Sequence, residues 1–346
     1  MKKTLLMSGL FAVFGQAAFA DLDIQEAFDS MGPEVRTVVL ESGKTVGYFD
    51  EGPKDGQPVL FIGGSGTSAY AYALTGFLRS MSNDLGLRFI GVERDGYGQT
   101  GLTEGYTYDM YADEVNEILS HVDVSEFSVV AISGGGPYAS AVAAAHSDRL
   151  KSLHFLAAFS QYDPENPNTS GICGLGEERI AGAAAYYAAN PAAWWDLGEN
   201  PPTARIHGFQ TVAQNDGART FTMGGQAASG AALLAEFNRY CTMPAVNGDE
   251  VKAPVYIYEG TADETVKSVH GDFWAGHYSN IAARRTYENV GHTVQYRHWD
   301  QVLLDVAGMA DKSVVCLDGQ STLLPAEEAA VQISQGASAG ICAWAD

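Results

Sequence analysis

The sequence has 346 residues, of which 46% are hydrophobic, and this suits one large α/β domain with an insertion, or two domains. It carries 42 acidic residues against 20 lysines and arginines, a formal net charge of −22 at pH 7. Such an acidic surface repels nucleic acid and anionic membranes, which argues against partners of either kind. No run after the N-terminal segment approaches the roughly 18 apolar residues of a membrane-spanning helix, so we expect no membrane insertion.

The first twenty residues have the three-part pattern of a secretory signal peptide. Lys2 and Lys3 give a basic start, residues 5–15 are mostly apolar, and Ala18 and Ala20 form a small-x-small cleavage site. Cleavage would remove two basic residues and no acidic one, leaving 18 basic and 42 acidic residues and a formal charge of −24. We therefore predict an exported protein, either periplasmic or secreted.

Four cysteines occur in this predicted exported chain, and an even count in that setting predicts two disulfides. Three pairings are open. We favour Cys173–Cys241 with Cys316–Cys342, because each bond then closes one local segment. No C-x-x-C spacing occurs, so a zinc site or a thioredoxin-like redox site is not expected.

Strand and helix patterns alternate along the first 160 residues. Two loosely alternating runs, 35–40 and 45–50, predict a β-hairpin. Apolar runs that indicate buried strands follow at 58–62, 87–93, 127–132 and 153–159. Helical patterns separate them around residues 74–78, at 108–122 and at 138–146. This alternation predicts a mostly parallel central sheet with helices on both faces, an α/β fold class.

The alternation stops between residues 161 and 249, where Ala-rich helical stretches carry aromatic side chains and prolines interrupt them. We interpret 161–249 as a helical cap inserted into a core of residues 21–160 and 250–310. Strands predicted at 253–258 and 283–288, with a helix at 293–310, complete that core. Residues 311–346 form a C-terminal extension that the Cys316–Cys342 bond would close.

The strand at 127–132 runs directly into Ser133 and three glycines. Strand, sharp turn with a central serine, and helix make the nucleophile-elbow pattern G-x-S-x-G, with Ala131 in the first glycine position. Small residues suit a strained turn that holds the hydroxyl clear of the backbone. The following helix offers free N–H groups and a positive dipole end to an oxyanion. The alternative is a glycine-rich turn that only connects a strand to a helix.

A serine nucleophile needs a base within hydrogen-bond reach, and the base needs an orienting carboxylate. Asp263 and His292 each follow a late strand, so with Ser133 they should meet at the carboxyl edge of the parallel sheet. Glu264, next to Asp263, is an alternative acid. The alternative bases are other late histidines: His270, His277 and His298.

With serine, aspartate and histidine in this chain order, the core resembles the α/β-hydrolase superfamily over roughly residues 35–310. It is most similar to capped serine hydrolases of the esterase and proline-iminopeptidase-like branch, through the Gly-Gly-Gly-Pro-Tyr run after the serine and the Arg-x-Gly-Tyr-Gly loop that begins at Arg94. The resemblance implies Ser133 as the nucleophile, Asp263 as the acid and His292 as the base.

The resemblance also implies an oxyanion hole made by the backbone N–H groups of Ser65 and Gly134. Ser65 belongs to a glycine-rich loop in the place of the family's His-Gly-x-Pro loop. Three positions depart from the family pattern. Ala131 replaces the first elbow glycine, Gly63 replaces the loop histidine, and Asp95 replaces the proline of the Arg-Pro-Gly-Tyr-Gly loop.

Together these residues predict hydrolysis of a small-molecule ester or related acyl compound through an acyl-enzyme, with neither a metal nor an organic cofactor implied. Dehalogenases and epoxide hydrolases of this fold use an aspartate where this chain has Ser133. An aminopeptidase of the proline-iminopeptidase type is the first alternative, with Asp196 and Glu199 of the cap available to hold a substrate ammonium. A lactonase or carbon–carbon hydrolase, and a binding or scaffold protein on a hydrolase fold, are the others.

Overall fold

The structure, a computed structural model, describes residues 22–24, 32–190 and 229–345. The expected signal peptide, and the part of the expected cap that holds Asp196 and Glu199, lie outside these residues. Within the described ranges no helix has the length and apolar character needed to cross a membrane.

A mostly parallel sheet forms the centre of the molecule. Its strands are β1 (Arg36–Val39), β2 (Thr45–Glu51), β3 (Gln57–Ile62), β4 (Leu87–Val92), β5 (Phe127–Ile132), β6 (Leu150–Leu156), β7 (Val255–Gly260) and β8 (Ile281–Tyr287). Their order is β1-β2-β4-β3-β5-β6-β7-β8. The β1–β2 hairpin is antiparallel, as is the β2–β4 pairing, and the pairings from β4 onward to β8 are parallel. The predicted fold class is confirmed.

Helices cover the sheet on both faces. The helices of the described residues are α1 (Arg79–Asp84), α2 (Tyr108–His121), α3 (Gly136–Ala145), α4 (Glu177–Ala189), α5 (Gly230–Thr242), α6 (Ser268–His277), α7 (Val294–Arg297), α8 (Trp299–Val306) and α9 (Ala326–Ser334). One apolar cluster packs α2, α3 and α6 on the sheet, and a second packs α8 and the 3₁₀ helix Ala69–Leu78 on the other face. Every residue of β4 and β5 is buried, as expected for parallel strands with helices on both sides.

Most predicted elements match within about two residues, and three differ more. Strand β6 begins and ends three residues earlier than the predicted 153–159, because the chain leaves the strand at Ala157, which has a positive φ of 42°. The helix predicted around residues 74–78 is a 3₁₀ helix that continues into α1. The helix predicted over 293–310 is divided into α7 and α8 at His298, whose φ and ψ are −123° and 29°.

The helices α4 and α5 lie in the expected cap and pack on each other. A disulfide between Cys173 and Cys241 joins the end of α5 to a short 3₁₀ helix, Gly171–Leu175. Apolar side chains of both helices extend the core cluster over α3. This segment of the chain is therefore packed on the core, and the disulfide joins two of its own elements.

The C-terminal extension forms a separate three-stranded antiparallel sheet with α9. Its strands are β9 (Lys312–Leu317), β10 (Gln320–Pro325) and β11 (Ser338–Ala339), in the order β10-β9-β11. The second disulfide, Cys316–Cys342, closes it. Both disulfides have the pairing favoured from the sequence.

Candidate active site

Ser133 lies at the end of β5, in a tight turn that leads into α3. Its φ is +50°, a left-handed conformation that costs a non-glycine residue free energy and is typical of functional turns. The carbonyl of Ser133 accepts a 2.8 Å hydrogen bond from the backbone N–H of Phe159. A methyl group at Gly136 would lie 2.0 Å from the carbonyl oxygen of Phe159, so this position of the elbow has to be glycine. The turn holds the half-buried serine side chain at the carboxyl edge of the sheet.

The structure brings the three predicted side chains into one hydrogen-bonded line. His292 Nε2 is 3.0 Å from Ser133 Oγ, and His292 Nδ1 is 2.8 Å from Asp263 Oδ2. The other carboxylate oxygen of Asp263 accepts backbone N–H bonds from Thr265 at 2.8 Å and Val266 at 2.9 Å. These bonds fix the carboxylate, which in turn orients the imidazole so that Nε2 faces the serine.

The loops that carry Asp263 and His292 are hydrogen-bonded to each other. Thr261 donates its backbone N–H to the Tyr287 carbonyl, and Ala262 donates to the Val290 carbonyl, both at 3.0 Å. The two loops thus extend the β7–β8 pairing beyond the ends of both strands. The separation of Asp263 and His292 is set by the sheet itself.

The alternative acids and bases lie elsewhere. The side chain of Glu264 is 87% exposed and 3.5 Å from Lys267. His270 Nδ1 accepts a hydrogen bond from the Ser160 N–H at 3.2 Å, and burial lowers its pKa to about 4. His298 stacks on Tyr287, and burial lowers its pKa to about 3. His277 contacts the Val246 carbonyl.

Ser65 and Gly134, the predicted oxyanion donors, lie side by side. A methyl group at Gly134 would be 2.1 Å from Ser65 Oγ, and one at Gly64 would be 3.2 Å from Ser133 Cβ. The glycine-rich loop therefore passes directly over the elbow. Gly134 also lies in the first turn after β5, where backbone N–H groups have no intrahelical acceptor.

Arg94 holds the glycine-rich loop from below. Its guanidinium donates to the carbonyls of Gly63 at 2.8 Å and Thr67 at 2.9 Å, and also to that of Gly64. Arg94 is 3% exposed. Gly63 itself has no side chain to hold the loop, and the bonds from Arg94 fix the backbone of this loop.

Glu236 is a site residue that the sequence analysis missed. Its Oε2 accepts hydrogen bonds from the Gly66 N–H and the Tyr97 hydroxyl, both at 2.8 Å, and its Oε1 is 3.4 Å from Arg94 Nε. The carboxylate is fully buried although it belongs to α5, some 170 residues along the chain. The sequence feature that could have identified Glu236 is its position on the apolar face of α5, one turn before Tyr240 and one turn after Ala232.

Asp95, the departure from the family's proline, has a structural explanation. Its Oδ1 accepts from Lys44 Nζ at 2.7 Å and from the backbone N–H of Thr103 at 3.0 Å. Lys44 also donates to Glu114 at 2.7 Å. This buried cluster ties the loop after β4 to the β1–β2 hairpin. In the described ranges no group of three or more histidine, cysteine, aspartate and glutamate side chains could hold a metal ion.

Comparison with known proteins identifies the α/β-hydrolase fold. Residues 57–173 match the family model of the α/β hydrolase fold. A non-heme chloroperoxidase of Kitasatospora aureofaciens is 35% identical over 118 residues, which are 34% of this chain and 41% of that protein. The chain thus spans about two fifths of the length of this curated relative.

Two solved structures cover most of the chain. The first, an α/β hydrolase fold protein from Nakamurella multipartita, is 24% identical with a TM-score of 0.56, and the match covers 80% of this chain and 99% of that one. The second, an esterase from Exiguobacterium antarcticum, is 17% identical with a TM-score of 0.61 and covers 81% and 99%. At these identities the likeness concerns the fold.

Proposed function

We propose that the chain is a serine hydrolase of the α/β-hydrolase superfamily, and that it cleaves a small carboxylic ester through an acyl-enzyme. The observation that carries the proposal is the hydrogen-bonded line from Asp263 through His292 to Ser133. The serine lies in a strained elbow with a base at 3.0 Å, and two backbone N–H groups hold the carboxylate. This arrangement fits nucleophilic catalysis better than a turn that only connects a strand to a helix.

In the first half-reaction, His292 Nε2 removes the proton of Ser133 Oγ while this oxygen attacks the ester carbonyl carbon. Asp263 accepts the Nδ1–H bond throughout and stabilises the imidazolium that forms. The backbone N–H groups of Ser65 and Gly134 bind the oxyanion, and each such donor contributes about 3 kcal/mol in comparable sites. His292 then gives its proton to the leaving alcohol, and the acyl group stays on Ser133.

In the second half-reaction, water replaces the alcohol. His292 takes a proton from the water as it attacks the acyl carbon, and returns that proton to Ser133 Oγ when the acid leaves. Every proton transfer therefore passes through the one imidazole, whose ring is positioned by the loops after β7 and β8.

Export belongs to the same proposal. The signal-peptide pattern of residues 1–20 and the two disulfides are both compatible with a periplasmic or secreted protein. An exported hydrolase would meet small acyl compounds outside the cytoplasm.

Turnover of a series of p-nitrophenyl esters, from acetate to palmitate, tests the proposal. We expect the protein lacking residues 1–20 to hydrolyse part of the series. Ser133→Ala should reduce kcat by at least about 10⁴-fold, while Ser125→Ala, which changes an exposed serine, should not alter it. Equal turnover by the wild type and Ser133→Ala would contradict the proposal. Aminoacyl anilides and lactones, assayed in parallel, distinguish the aminopeptidase and lactonase alternatives.

A further inference from the structure

The side chain of Tyr240, on α5, reaches the position directly above Gly134. A methyl group on Gly134 would lie 2.4 Å from the Tyr240 hydroxyl and 2.1 Å from Ser65 Oγ. These two hydroxyls occupy the space into which any side chain at position 134 would project. The glycine after the nucleophile is therefore required by the approach of Tyr240 as well as by the turn.

The Tyr240 hydroxyl is a buried hydrogen-bond donor. The residue is 4% exposed, and the neighbouring Ser65 hydroxyl interacts with its hydroxyl and lowers its pKa. No hydrogen bond of full geometry satisfies the Tyr240 hydroxyl among the described residues. Leaving a buried donor unpaired is unfavourable, because its hydration is lost without a compensating hydrogen bond. Such an atom in a native structure calls for an explanation, and a ligand that accepts the bond is one.

The ring of Tyr240 is held firmly in place. It packs edge-on against Phe159, with ring centroids 5.6 Å apart, and against Tyr138 at 6.5 Å. One turn earlier on the same helix face, Glu236 accepts from the N–H of Gly66, the residue after Ser65. The next residue, Cys241, forms the disulfide with Cys173. The hydrogen bond between Glu236 and Gly66 thus holds α5 against the glycine-rich loop, one turn from Tyr240.

The charge around this hydroxyl keeps it a donor. Burial raises the pKa of Tyr240 well above its ordinary value, and the Glu236 carboxylate raises it further, while Arg94 opposes the shift. The phenol therefore keeps its proton across the working pH range of a serine hydrolase. It can give a hydrogen bond to an oxygen that gains negative charge, without itself ionising.

We propose that Tyr240 is a third donor to the oxyanion, acting beside the backbone N–H groups of Ser65 and Gly134. The inference rests on the proposed function and extends it to a residue outside the core strands. The acceptor is the carbonyl oxygen of the ester, whose charge grows as Ser133 attacks. Because the donor belongs to α5, the oxyanion hole is complete only when this helix is docked.

Tyr240→Phe, which removes only the hydroxyl, tests the proposal. We expect kcat for a p-nitrophenyl ester to fall about 10- to 100-fold with little change in KM, because the bond strengthens in the transition state. Affinity for a boronic acid, which forms a tetrahedral adduct on the serine, should fall by a similar factor. The matched control is Tyr108→Phe, which removes another buried hydroxyl that has no hydrogen-bond partner in the described part of the chain, on a ring that also packs against Tyr138.

The inference is overturned if Tyr240→Phe matches Tyr108→Phe in both kcat and boronic-acid affinity. That result leaves the proposed function standing, provided that the wild type hydrolyses esters and that a fluorophosphonate labels Ser133. A wild type that does neither overturns the proposed function, and the inference with it.

A crystal structure of the wild type phosphonylated on Ser133 serves if Tyr240→Phe does not fold. The phosphonyl oxygen stands in for the oxyanion. A Tyr240 hydroxyl within about 3 Å of that oxygen supports the proposal. A hydroxyl that makes no contact with it overturns the proposal.

Discussion

The candidate site has two halves that are built in different ways. In the acid–base half, Ser133, Asp263 and His292 each follow a core strand, and backbone bonds between neighbouring loops set their spacing. In the oxyanion half, the loop of residues 63–67 is held by side chains from other segments, chiefly Arg94 and Glu236. The geometry of the first half is a property of the sheet, whereas that of the second depends on a helix outside it.

The largest expected effect concerns the acid–base half alone. Asp263→Asn should reduce kcat by about 10⁴-fold, because the amide no longer stabilises the imidazolium or the required tautomer. Glu264→Gln, a matched change at the adjacent exposed carboxylate, should leave kcat within a factor of about two. Steady-state kinetics on one ester measures both. Comparable losses in the two variants would show that Asp263 is not the orienting acid.

Removing each of the two disulfides in turn tests whether the oxyanion half of the site depends on α5. The Cys173–Cys241 bond spans 68 residues and the Cys316–Cys342 bond spans 26, for which chain entropy predicts about 4 and 3 kcal/mol of stabilisation. Alanine at both positions of either pair should therefore lower the free energy of unfolding. Only loss of Cys173–Cys241 should also lower kcat, since that bond joins α5, which carries Glu236 and Tyr240, to the 3₁₀ helix Gly171–Leu175.

Urea unfolding and ester turnover measure the two quantities. A variant lacking Cys173–Cys241 that is destabilised but fully active would show that the oxyanion half does not depend on the anchoring of α5. An inactive variant lacking Cys316–Cys342 would place the C-terminal sheet in the site, contrary to our account.

Glu236→Gln should destabilise the oxyanion half. The amide can still accept from Gly66 but leaves the buried Arg94 guanidinium without its carboxylate, at a cost of about 3 kcal/mol. The free energy of unfolding and kcat should both fall. Glu126→Gln, whose exposed carboxylate pairs with Lys151, is the control and should change stability by less than about 1 kcal/mol. If the two variants have equal free energies of unfolding, Glu236 does not stabilise the oxyanion half.

A fourth prediction concerns the sheet that supports both halves. His154 on β6 is fully buried, 3.0 Å from the Tyr258 hydroxyl and stacked on Tyr256. Burial lowers its pKa to about 3, with a smaller contribution from Arg285. The unfolded chain therefore binds a proton that the folded chain rejects between about pH 6.5 and 3. This contribution to stability is fully present above that range and is lost as the pH falls through it.

Replacing His154 with asparagine removes this titration. The slope of unfolding free energy against pH should become flatter by up to about 1.4 kcal/mol per pH unit between pH 4 and 6. Urea titrations at several pH values measure the slope. A loss of stability that is the same at every pH does not change this slope. Parallel curves for wild type and variant would contradict the assignment.

The acid–base half could be predicted from the sequence because each residue is marked locally. Ser133 follows an apolar strand and precedes glycines, and Asp263 and His292 follow the last two strands of the central sheet. Parallel strands place their carboxyl ends on one edge, so chain order and strand ends suffice to bring such residues together. Ser65 and Gly134 were predicted differently, from the resemblance to the family's loops.

The supports of the oxyanion half could not be predicted in this way. Glu236 and Tyr240 face a loop about 170 residues away, and no local pattern reports which helix face will meet which loop. The break at His298 and the early end of β6 at Ala157 arise from single backbone conformations, which periodicity does not reveal. What the sequence leaves open is mainly the docking between distant segments.

The most direct test of the central claim is labelling with a fluorophosphonate followed by peptide mass spectrometry. Our account predicts one adduct per chain, on Ser133, that forms rapidly in the wild type and very slowly in His292→Ala. An adduct on another serine, or none at all in a folded protein, would contradict the assignment of Ser133 as the nucleophile.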